Sequence, residues 1–366
     1  MRIAQVAPLY ESVPPRFYGG TERVVSWLTE KLVALGHEVT LFASGDSVTN
    51  ARLVKACKKA LRLDSDCVDP LAHHTLMMEE VFSQADDFEF IHFHTDYLHF
   101  SHSRRSRVPC LTTLHGRLDI PDLFPLYREF REIPVVSISD AQRKPLPWAN
   151  WVGTVHHGLP VSSLEFQENR GEYLAFLGRV SPEKGLDRAI EIAIRSGKRL
   201  KIAAKVDRAD QNYFQSKIKP MLEHPLIEFI GEIGHLEKGE FLGHAAALLF
   251  PIDWPEPFGL VMIEAMACGT PVVGYPRGSV PEIVIDGVCG FLVSSVDEGV
   301  EAVNRIAEID RGDCRHHIEV NFSDDRMAKD YLKLYQQLVH PESASLTVEE
   351  GVLNWMEVES QTPSTT

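Results

Sequence analysis

Two glutamates eight residues apart flank a predicted helix start in the second half of the chain. Glu256 lies in a Pro-Glu-Pro-Phe-Gly corner, and Glu264 lies inside Leu260–Cys268, a run that predicts about two helical turns before Gly269 and Pro271 end it. A helix N-terminus offers free N–H groups and partial positive charge to an anion, and a carboxylate can accept hydrogen bonds from two neighbouring hydroxyls. The segment predicts a sugar-nucleotide site, and the alternative is a core helix with two surface glutamates.

A second candidate for anion binding is the segment Gly178-Arg-Val-Ser-Pro-Glu-Lys-Gly, which carries Arg179 and Lys184. These cations lie five residues apart between the predicted strand Tyr173–Leu177 and the predicted helix Leu186–Ser196. Arginine supplies a rigid fork of donors and lysine a point charge, so the pair suits a diphosphate. The alternative is two solvated basic residues.

A glycine pair opens the first predicted helix. Gly19 and Gly20 precede Thr21, a candidate N-cap, and Glu22. The glycines would let a ligand approach the backbone, and the helix start favours an anion. The pattern is not G-x-G-x-x-G, so it does not predict a dinucleotide site. Glu22 could contact a ligand or simply complement the helix dipole.

Histidines follow two predicted strands of the first half. His115 follows Cys110–Leu114 and could hydrogen-bond a substrate, act as a general acid or base, or be structural. His92 and His94 share one face of the strand Phe90–Phe93 and its end, with Asp96 two residues on. Two histidines and a carboxylate are a metal-ligand pattern in some hydrolases, so a metal-dependent hydrolase is one alternative.

The elements that must position these residues alternate between strand and helix. Strand Ile3–Ala7, helix Thr21–Leu35 and strand His37–Ala43 form a βαβ unit, which predicts a parallel sheet. The pattern restarts near residue 169. We therefore predict an α/β fold of two doubly wound, Rossmann-like domains that face a central cleft, with residues 1–168 as the first domain and 169–339 as the second. In such sheets ligands bind beyond the carboxyl ends of the strands. The tail from about 340 to 366 is predicted to pack back on the first domain.

Composition excludes several classes of protein. The 366 residues are 44% apolar and carry a formal charge of −15, which disfavours nucleic acid as a partner. Six scattered cysteines form no C-x-x-C pair, and the start resembles a strand rather than a signal peptide, so a cytoplasmic protein is expected. The basic segments 52–62 and 104–107 could contact a membrane, but solvated helix is the favoured interpretation. Oligomeric state stays open.

The motif around Glu256 and Glu264 resembles the E-x7-E motif of retaining glycosyltransferases of family 4, the group of glycogen synthase and sucrose synthase, which have the GT-B fold. The segment from Gly178 to Gly185 resembles the G-R-x-x-x-x-K-G motif of the same family. Ser137-Ile-Ser139 resembles its S-x-S motif, although Ser139 could equally be an N-cap. The segment that contains Glu282 resembles a later family motif and looks structural.

The resemblance implies residue roles. Arg179 and Lys184 would neutralise the leaving diphosphate, Glu256 would hold sugar hydroxyls, Glu264 the ribose, and His115 a hydroxyl of the transferred sugar, typically the 6-hydroxyl. The other residues predicted to bind the donor are Gly19, Gly20, Gly231, Glu232, Phe258, Gly259 and Leu260. The residues predicted on the acceptor side are Glu22, His94, Asp96 and Ser139.

The implied reaction moves a hexose from a nucleotide-diphosphate sugar to an unidentified hydroxyl acceptor with retention, by front-face attack. UDP-glucose is the favoured donor and GDP-mannose the next. No cofactor and no metal are expected, because Arg179 and Lys184 supply the charge that stabilises the phosphate. A GT-B sugar-nucleotide epimerase and a non-catalytic sugar-nucleotide-binding protein remain as alternatives.

Overall fold

A computed structural model describes residues 1–16 and 19–341. Buried apolar runs form two separate parallel sheets, as the βαβ pattern predicts. The first sheet has the strand order β3-β2-β1-β4-β5-β6-β7. Its strands are β1 Arg2–Val6, β2 Glu38–Ser44, β3 Arg52–Cys57, β4 Phe90–Phe93, β5 Cys110–Thr113, β6 Val135–Ser137 and β7 Trp151–Thr154.

The second sheet has the order β10-β9-β8-β11-β12-β13 and is also parallel. Its strands are β8 Tyr173–Arg179, β9 Arg199–Lys205, β10 Ile227–Gly231, β11 Ala245–Phe250, β12 Val272–Gly274 and β13 Gly290–Leu292. In both sheets the strand order reverses at the first strand of the domain, and the loops that follow the strands flanking that point form a crevice. The predicted two-domain α/β fold is confirmed.

Helices connect the strands. In the first half they are α1 Gly20–Ala34, α2 Pro70–Ser83, α3 Phe100–Ser103, α4 Leu123–Glu129 and α5 Asp140–Arg143. In the second half they are α6 Leu186–Arg195, α7 Gln211–Tyr213, α8 Lys219–Met221, α9 His235–Gly243, α10 Leu260–Ala267, α11 Val280–Ile283, α12 Val296–Arg305, α13 Arg311–Asn321 and α14 Asp324–Val339. None of the helices among the described residues combines the length and the apolar character that crossing a bilayer requires.

The last helix returns to the first domain. Met327, Tyr331 and Tyr335 of α14 are fully buried in the same core as Ile3 of β1 and Leu28 of α1. The predicted second domain, residues 169–339, includes α14, yet the buried side chains of this helix contact the first sheet. The segment expected to pack back, 340–366, lies outside the described residues from 342 onward.

The basic segment 52–62 is not the solvated helix that the sequence predicts. It was predicted as a solvated helix, whereas Arg52–Cys57 is the edge strand β3 beside β2. At an edge, the side chains are only half-buried and the apolar alternation of the sequence is weak, so the strand pattern is hidden. Only Leu61–Leu63 forms a short helical turn.

Candidate functional site

A cavity of about 790 Å³ lies between the carboxyl ends of the two sheets. Loops that follow β1, β4 and β5 form one wall, and loops that follow β8 and β11 form the other. The predicted site residues that line it are Gly19, Gly20, Glu22, His94, Asp96, His115, Arg179, Lys184, Glu232, Glu256, Phe258, Gly259, Leu260 and Glu264. Two other predicted site residues, Gly231 and Ser139, do not line this cavity. Residues from two domains thus meet in one cleft.

Glu256 is held by neighbours within its own domain. Its Oε2 accepts a hydrogen bond from Trp254 Nε1 at 2.9 Å and a short, charge-assisted hydrogen bond from Lys184. Lys184 also lies over the Trp254 ring, 4.9 Å from its centroid. Ser279 N donates to the backbone carbonyl of Glu256 at 2.9 Å, which fixes the corner itself. The carboxylate therefore has a set orientation at the cavity wall.

Glu264 pairs with a lysine that the sequence analysis missed. Lys238 of α9 donates from Nζ to both carboxylate oxygens of Glu264, at 3.1 Å each. The Glu264 side chain is 4% exposed, so its charge is nearly desolvated and needs a partner. Only proximity in the folded chain reveals Lys238, because neither its spacing from Glu264 nor a motif around it predicts the contact.

Arg179 lies at the end of β8 among acidic neighbours. Its Nη2 donates to Glu183 Oε1 at 2.6 Å, and its other nitrogens lie 3.9 Å from Asp207 and 3.7 Å from Asp210. An anionic ligand at Arg179 would compete with these carboxylates. Arg179 is thus held at the cavity by partly exposed ion pairs, which water screens in part.

Two helix N-termini meet at the cavity. Gly20 and Glu22 begin α1, and Leu260 begins α10, whose N-cap Gly259 has a left-handed backbone. The first N–H groups of each helix have no carbonyl partner within the helix. A Cβ added at Gly20 would lie 3.6 Å from Leu260 Cδ1, so the two helix starts are nearly in contact across the cleft. This geometry favours an anion between the domains.

Histidines form a buried network behind the first-domain wall. His115 Nε2 lies 2.9 Å from His94 Nδ1, and His94 Nε2 lies 2.8 Å from Gln5 Oε1. His92 bonds Tyr335 OH at 2.7 Å and Thr113 Oγ1 at 2.8 Å. Burial lowers the pKa of His92 and His94 well below the ordinary value and that of His115 to about 3. These imidazoles are neutral at pH 7.

The same contacts weigh against the metal interpretation of His92 and His94. Both ring nitrogens of each histidine are within hydrogen-bond distance of protein atoms, which leaves neither a lone pair for a metal. Among the described residues, no group of three or more His, Cys, Asp or Glu side chains has the arrangement of a metal site.

Carboxyl groups line the first-domain wall of the cavity. Burial raises the pKa of Glu22, with a smaller contribution from the nearby charge of Glu11. Arg62 Nη1 donates to Glu11 Oε1 at 2.9 Å. Asp96 is the one non-glycine residue among the described residues with a left-handed backbone, and it keeps contact with solvent in the cleft. Desolvation by the surrounding protein raises the pKa of its carboxyl, and a hydrogen bond from the backbone N–H of His115 offsets part of that rise.

Ser139 has a structural position instead of a place in the cleft. It is fully buried and caps α5 by accepting from Gln142 N at 3.1 Å. Its hydroxyl also donates to the carbonyl of Pro257 in the second domain at 2.6 Å, which links the two domains.

Glu282 makes a second link between the domains. It accepts hydrogen bonds from the backbone N–H groups of Asp140 and Ala141, at 2.8 Å each.

Several cations of the basic segments 52–62 and 104–107 are paired with acidic or aromatic side chains. Arg62 pairs with Glu11, and Lys59 lies 3.3 Å from Asp64. Arg104 donates to Glu129 at 2.6 Å and to Glu132 at 2.5 Å, and lies over the ring of Phe130. A membrane role for these segments therefore gains no support from the structure.

Two family models match consecutive parts of the chain and together cover residues 18–321. The model for glycosyltransferase family 4 matches residues 18–171, and the model for glycosyl transferases group 1 matches residues 164–321. The two ranges correspond to the two cavity walls.

Curated relatives and solved structures agree with this match. A D-inositol 3-phosphate glycosyltransferase of Salinispora tropica is 34% identical over 192 residues, which are 46% of this chain and 39% of that protein. The chain thus spans less than half the length of the first curated relatives it matches. A phosphatidyl-myo-inositol mannosyltransferase of Mycobacterium leprae is 26% identical and aligns over 82% of this chain and 86% of its own.

Among solved structures, a glycosyltransferase involved in avilamycin A biosynthesis has a TM-score of 0.73 at 24% identity, covering 93% of this chain and 98% of its own. An Anabaena protein in complex with UDP and glucose has a TM-score of 0.72 at 16% identity, covering 92% of this chain and all of its own. At these identities the likeness establishes a shared fold.

Proposed function

We propose, from the premise that this chain belongs to the family 4 and group 1 glycosyltransferases of GT-B fold, that it transfers a hexose from a nucleotide-diphosphate sugar to a hydroxyl acceptor. The observation that carries the proposal is the convergence of Lys184, Arg179, Glu256, Glu264 and His115 on one interdomain cavity. Cations for a diphosphate, carboxylates for hydroxyls and a neutral imidazole are the groups that such a donor requires.

The proposed reaction retains the anomeric configuration and proceeds by front-face attack. Arg179, Lys184 and the N–H groups at the start of α10 would stabilise the negative charge that develops on the departing phosphate. Glu256 would hold hydroxyls of the transferred sugar, because Lys184 and Trp254 already fix one of its oxygens. The cations carry the electrostatic role, so the proposed reaction is independent of metal.

For the donor we propose UDP-glucose first and a GDP-linked mannose second. The Anabaena neighbour was solved with UDP and with UDP-glucose, and one relative is named as a mannosyltransferase. Glu264 and Lys238 would bind the ribose end, and Glu232 would lie near the base. The acceptor is proposed only as a hydroxyl compound; inositol phosphates belong in the first acceptor panel because relatives are named for them.

Thermal denaturation with nucleotides and nucleotide sugars, each with and without EDTA, tests the donor site. A ligand that binds only the folded state raises the midpoint, and one base should do so selectively and independently of EDTA. No shift with any nucleotide, or a shift only with added metal, would refute the assignment.

Donor hydrolysis separates an enzyme from a binding protein. We expect wild-type protein to hydrolyse its donor slowly and Lys184→Ala to lose that activity while remaining folded. Lys217→Ala, a change at an exposed lysine of the same domain, is the matched control. Release of an epimerised nucleotide sugar instead of free hexose would identify an epimerase.

A further inference from the structure

A chain of hydrogen bonds runs from the C-terminal helix through three buried side chains to the half-buried His115 at the cavity wall. Gln5 Nε2 donates to Tyr335 OH at 3.2 Å, and Gln5 Oε1 lies 2.8 Å from His94 Nε2. His94 Nδ1 lies 2.9 Å from Nε2 of His115, which lines the cavity. Gln5 and Tyr335 are fully buried and His94 is 2% exposed, so water does not complete or interrupt these hydrogen bonds.

The hydrogen bonds of Gln5 determine where the protons lie. A carbonyl oxygen can only accept, so His94 must carry its proton on Nε2. His94 is a neutral imidazole and has one N–H, so its Nδ1 must accept. The donor to that nitrogen is Nε2–H of His115. His115 is neutral as well, which leaves its Nδ1 without a proton.

The other side of Tyr335 is consistent with this direction. Its hydroxyl accepts from Gln5 and can give its single proton to His92 Nδ1, 2.7 Å away. His92 then donates from Nε2 to Thr113 Oγ1 at 2.8 Å. Donation thus runs in one direction, from His115 through His94, Gln5, Tyr335 and His92 to Thr113.

The Nδ1 atom of His115 has no hydrogen-bond partner among the described residues and is shielded from solvent. Since His94 occupies Nε2, Nδ1 is the ring nitrogen that remains for a ligand. An unpaired buried nitrogen costs free energy, so a ligand group that pairs with it gains affinity.

We propose that Gln5, acting through His94, is a positioning residue that makes His115 Nδ1 a hydrogen-bond acceptor, and that the site therefore selects donor sugars which present a hydroxyl proton at this point. The inference rests on the proposed function for its substrate class, a hexose nucleotide. A fluorine, an ether oxygen or a carboxylate at the same position offers no proton, and its lone pairs repel that of Nδ1.

The opposite polarity requires a turned amide. If the Gln5 NH2 faced His94, each hydrogen bond of the chain would reverse, and His115 Nδ1 would carry a proton and donate. The two arrangements make opposite predictions for the tautomer of His115 and for the ligand group it prefers, so they can be told apart by experiment.

The tautomer can be measured in the unmodified protein. Long-range 1H–15N spectra of protein labelled at histidine distinguish Nε2–H from Nδ1–H imidazole, and the His115 signals are those that disappear in His115→Gln. We expect the Nε2–H form at pH 7. The Nδ1–H form, a mixture of both tautomers or an imidazolium would overturn the proposal. This result does not depend on whether the protein is a transferase.

Variants then test the role of Gln5. Gln5→Met removes both hydrogen bonds of the amide, and we expect His115 to show both tautomers. Gln142→Met is the matched control, because Gln142 is also buried in this domain and its amide donates to the carbonyls of Leu114 and Gly116, which flank His115. A single Nε2–H tautomer in Gln5→Met, or mixed tautomers in Gln142→Met alone, would exclude Gln5 as the positioning residue.

The ligand preference is tested with analogues of the donor identified by thermal denaturation, in which each sugar hydroxyl in turn is replaced by hydrogen or by fluorine. At one position we expect the replacement by hydrogen to weaken binding by about 10-fold and the replacement by fluorine by at least as much, because neither supplies a proton and fluorine also repels the lone pair of Nδ1. In His115→Ala that loss should disappear, while affinity for the nucleoside diphosphate is unchanged. Retained affinity of the fluoro analogue would overturn the acceptor assignment; failure of every nucleotide to bind would instead refute the proposed function.

Discussion

The ammonium group of Lys238 donates hydrogen bonds to both carboxylate oxygens of Glu264, at 3.1 Å each. The lysine lies in α9 and the glutamate in α10, and the two residues are 26 positions apart in the chain. Because Glu264 is almost fully buried, the lysine both compensates its charge and fixes the plane of the carboxylate. A carboxylate held in this way presents its remaining lone pairs to the cavity in one orientation.

Removing the lysine tests that relationship. We expect Lys238→Ala to lower the free energy of unfolding by about 1–3 kcal/mol, because a buried carboxylate loses its partner, and to weaken nucleoside-diphosphate binding by about 10-fold. Urea denaturation and calorimetric titration measure the two effects. Lys238→Arg keeps the charge and should retain more affinity, and Lys217→Ala is the exposed control. Unchanged binding in Lys238→Ala would separate Lys238 from the donor site.

A buried arginine stabilises the second domain. Arg311 is 5% exposed and donates to the carbonyls of Gln167, Gly243, Ala245 and Cys268 and to Thr270 Oγ1, at 2.6–3.3 Å. We expect Arg311→Met to cost about 3–5 kcal/mol of unfolding free energy, because several buried acceptors lose their donor. Arg305→Met, at an exposed arginine paired with Glu308, should cost less than about 0.5 kcal/mol. Equal urea midpoints for the two variants would contradict this account.

Gly278 packs closely against the backbone of Glu256. Its backbone has φ +58°, and a Cβ there would lie 2.3 Å from the carbonyl oxygen and 2.4 Å from the nitrogen of Glu256. Gly278→Ala must displace that corner, so we expect at least 10-fold weaker binding of the donor. Gly287→Ala is the matched control: its φ of +74° imposes similar strain, but no atom lies within 4 Å of the added methyl. Donor affinity measured by titration should be unchanged in Gly287→Ala.

The sequence predicts most of the fold because buried parallel strands are short apolar runs bounded by glycine, proline or polar residues. Strand Phe90–Phe93 has the predicted bounds, and α10 ends one residue before the prediction. The edge strand Arg52–Cys57 was misassigned because its half-buried, basic side chains carry no clear period.

The candidate site divides in the same way. Residues in local motifs, such as Arg179, Lys184, Glu256 and Glu264, could be predicted because a loop or helix start fixes them near one another in the chain. Contacts between distant segments could not: Tyr335 reaches His92 across 243 residues, and only packing of α14 on the first sheet brings them together. Ser139 was ambiguous because one residue type suits both an N-cap and a ligand contact.

The link between the domains at Glu282 should depend on pH. Burial of this carboxyl opposes its ionisation, but hydrogen bonds from His156 Nε2, at 3.0 Å, and from the N–H groups of Asp140 and Ala141 outweigh burial and hold the pKa of Glu282 below its ordinary value. A carboxyl with a lowered pKa in the folded state stabilises that state above its unfolded pKa, near 4.3, and the contribution is lost as the pH falls through the folded value. We therefore expect Glu282→Ala to lower the unfolding free energy by about 1–2 kcal/mol at pH 7 and by progressively less below pH 4.3.

Urea midpoints of wild type and variant between pH 7 and pH 3.5 measure the difference. Glu298→Ala, at an acidic residue outside the interface whose side chain accepts from Ser294 N, is the control for loss of one carboxylate. A difference for Glu282→Ala that stays constant or grows as the pH falls from 4.3 to 3.5 would show that the ionised carboxylate is not what joins the two domains.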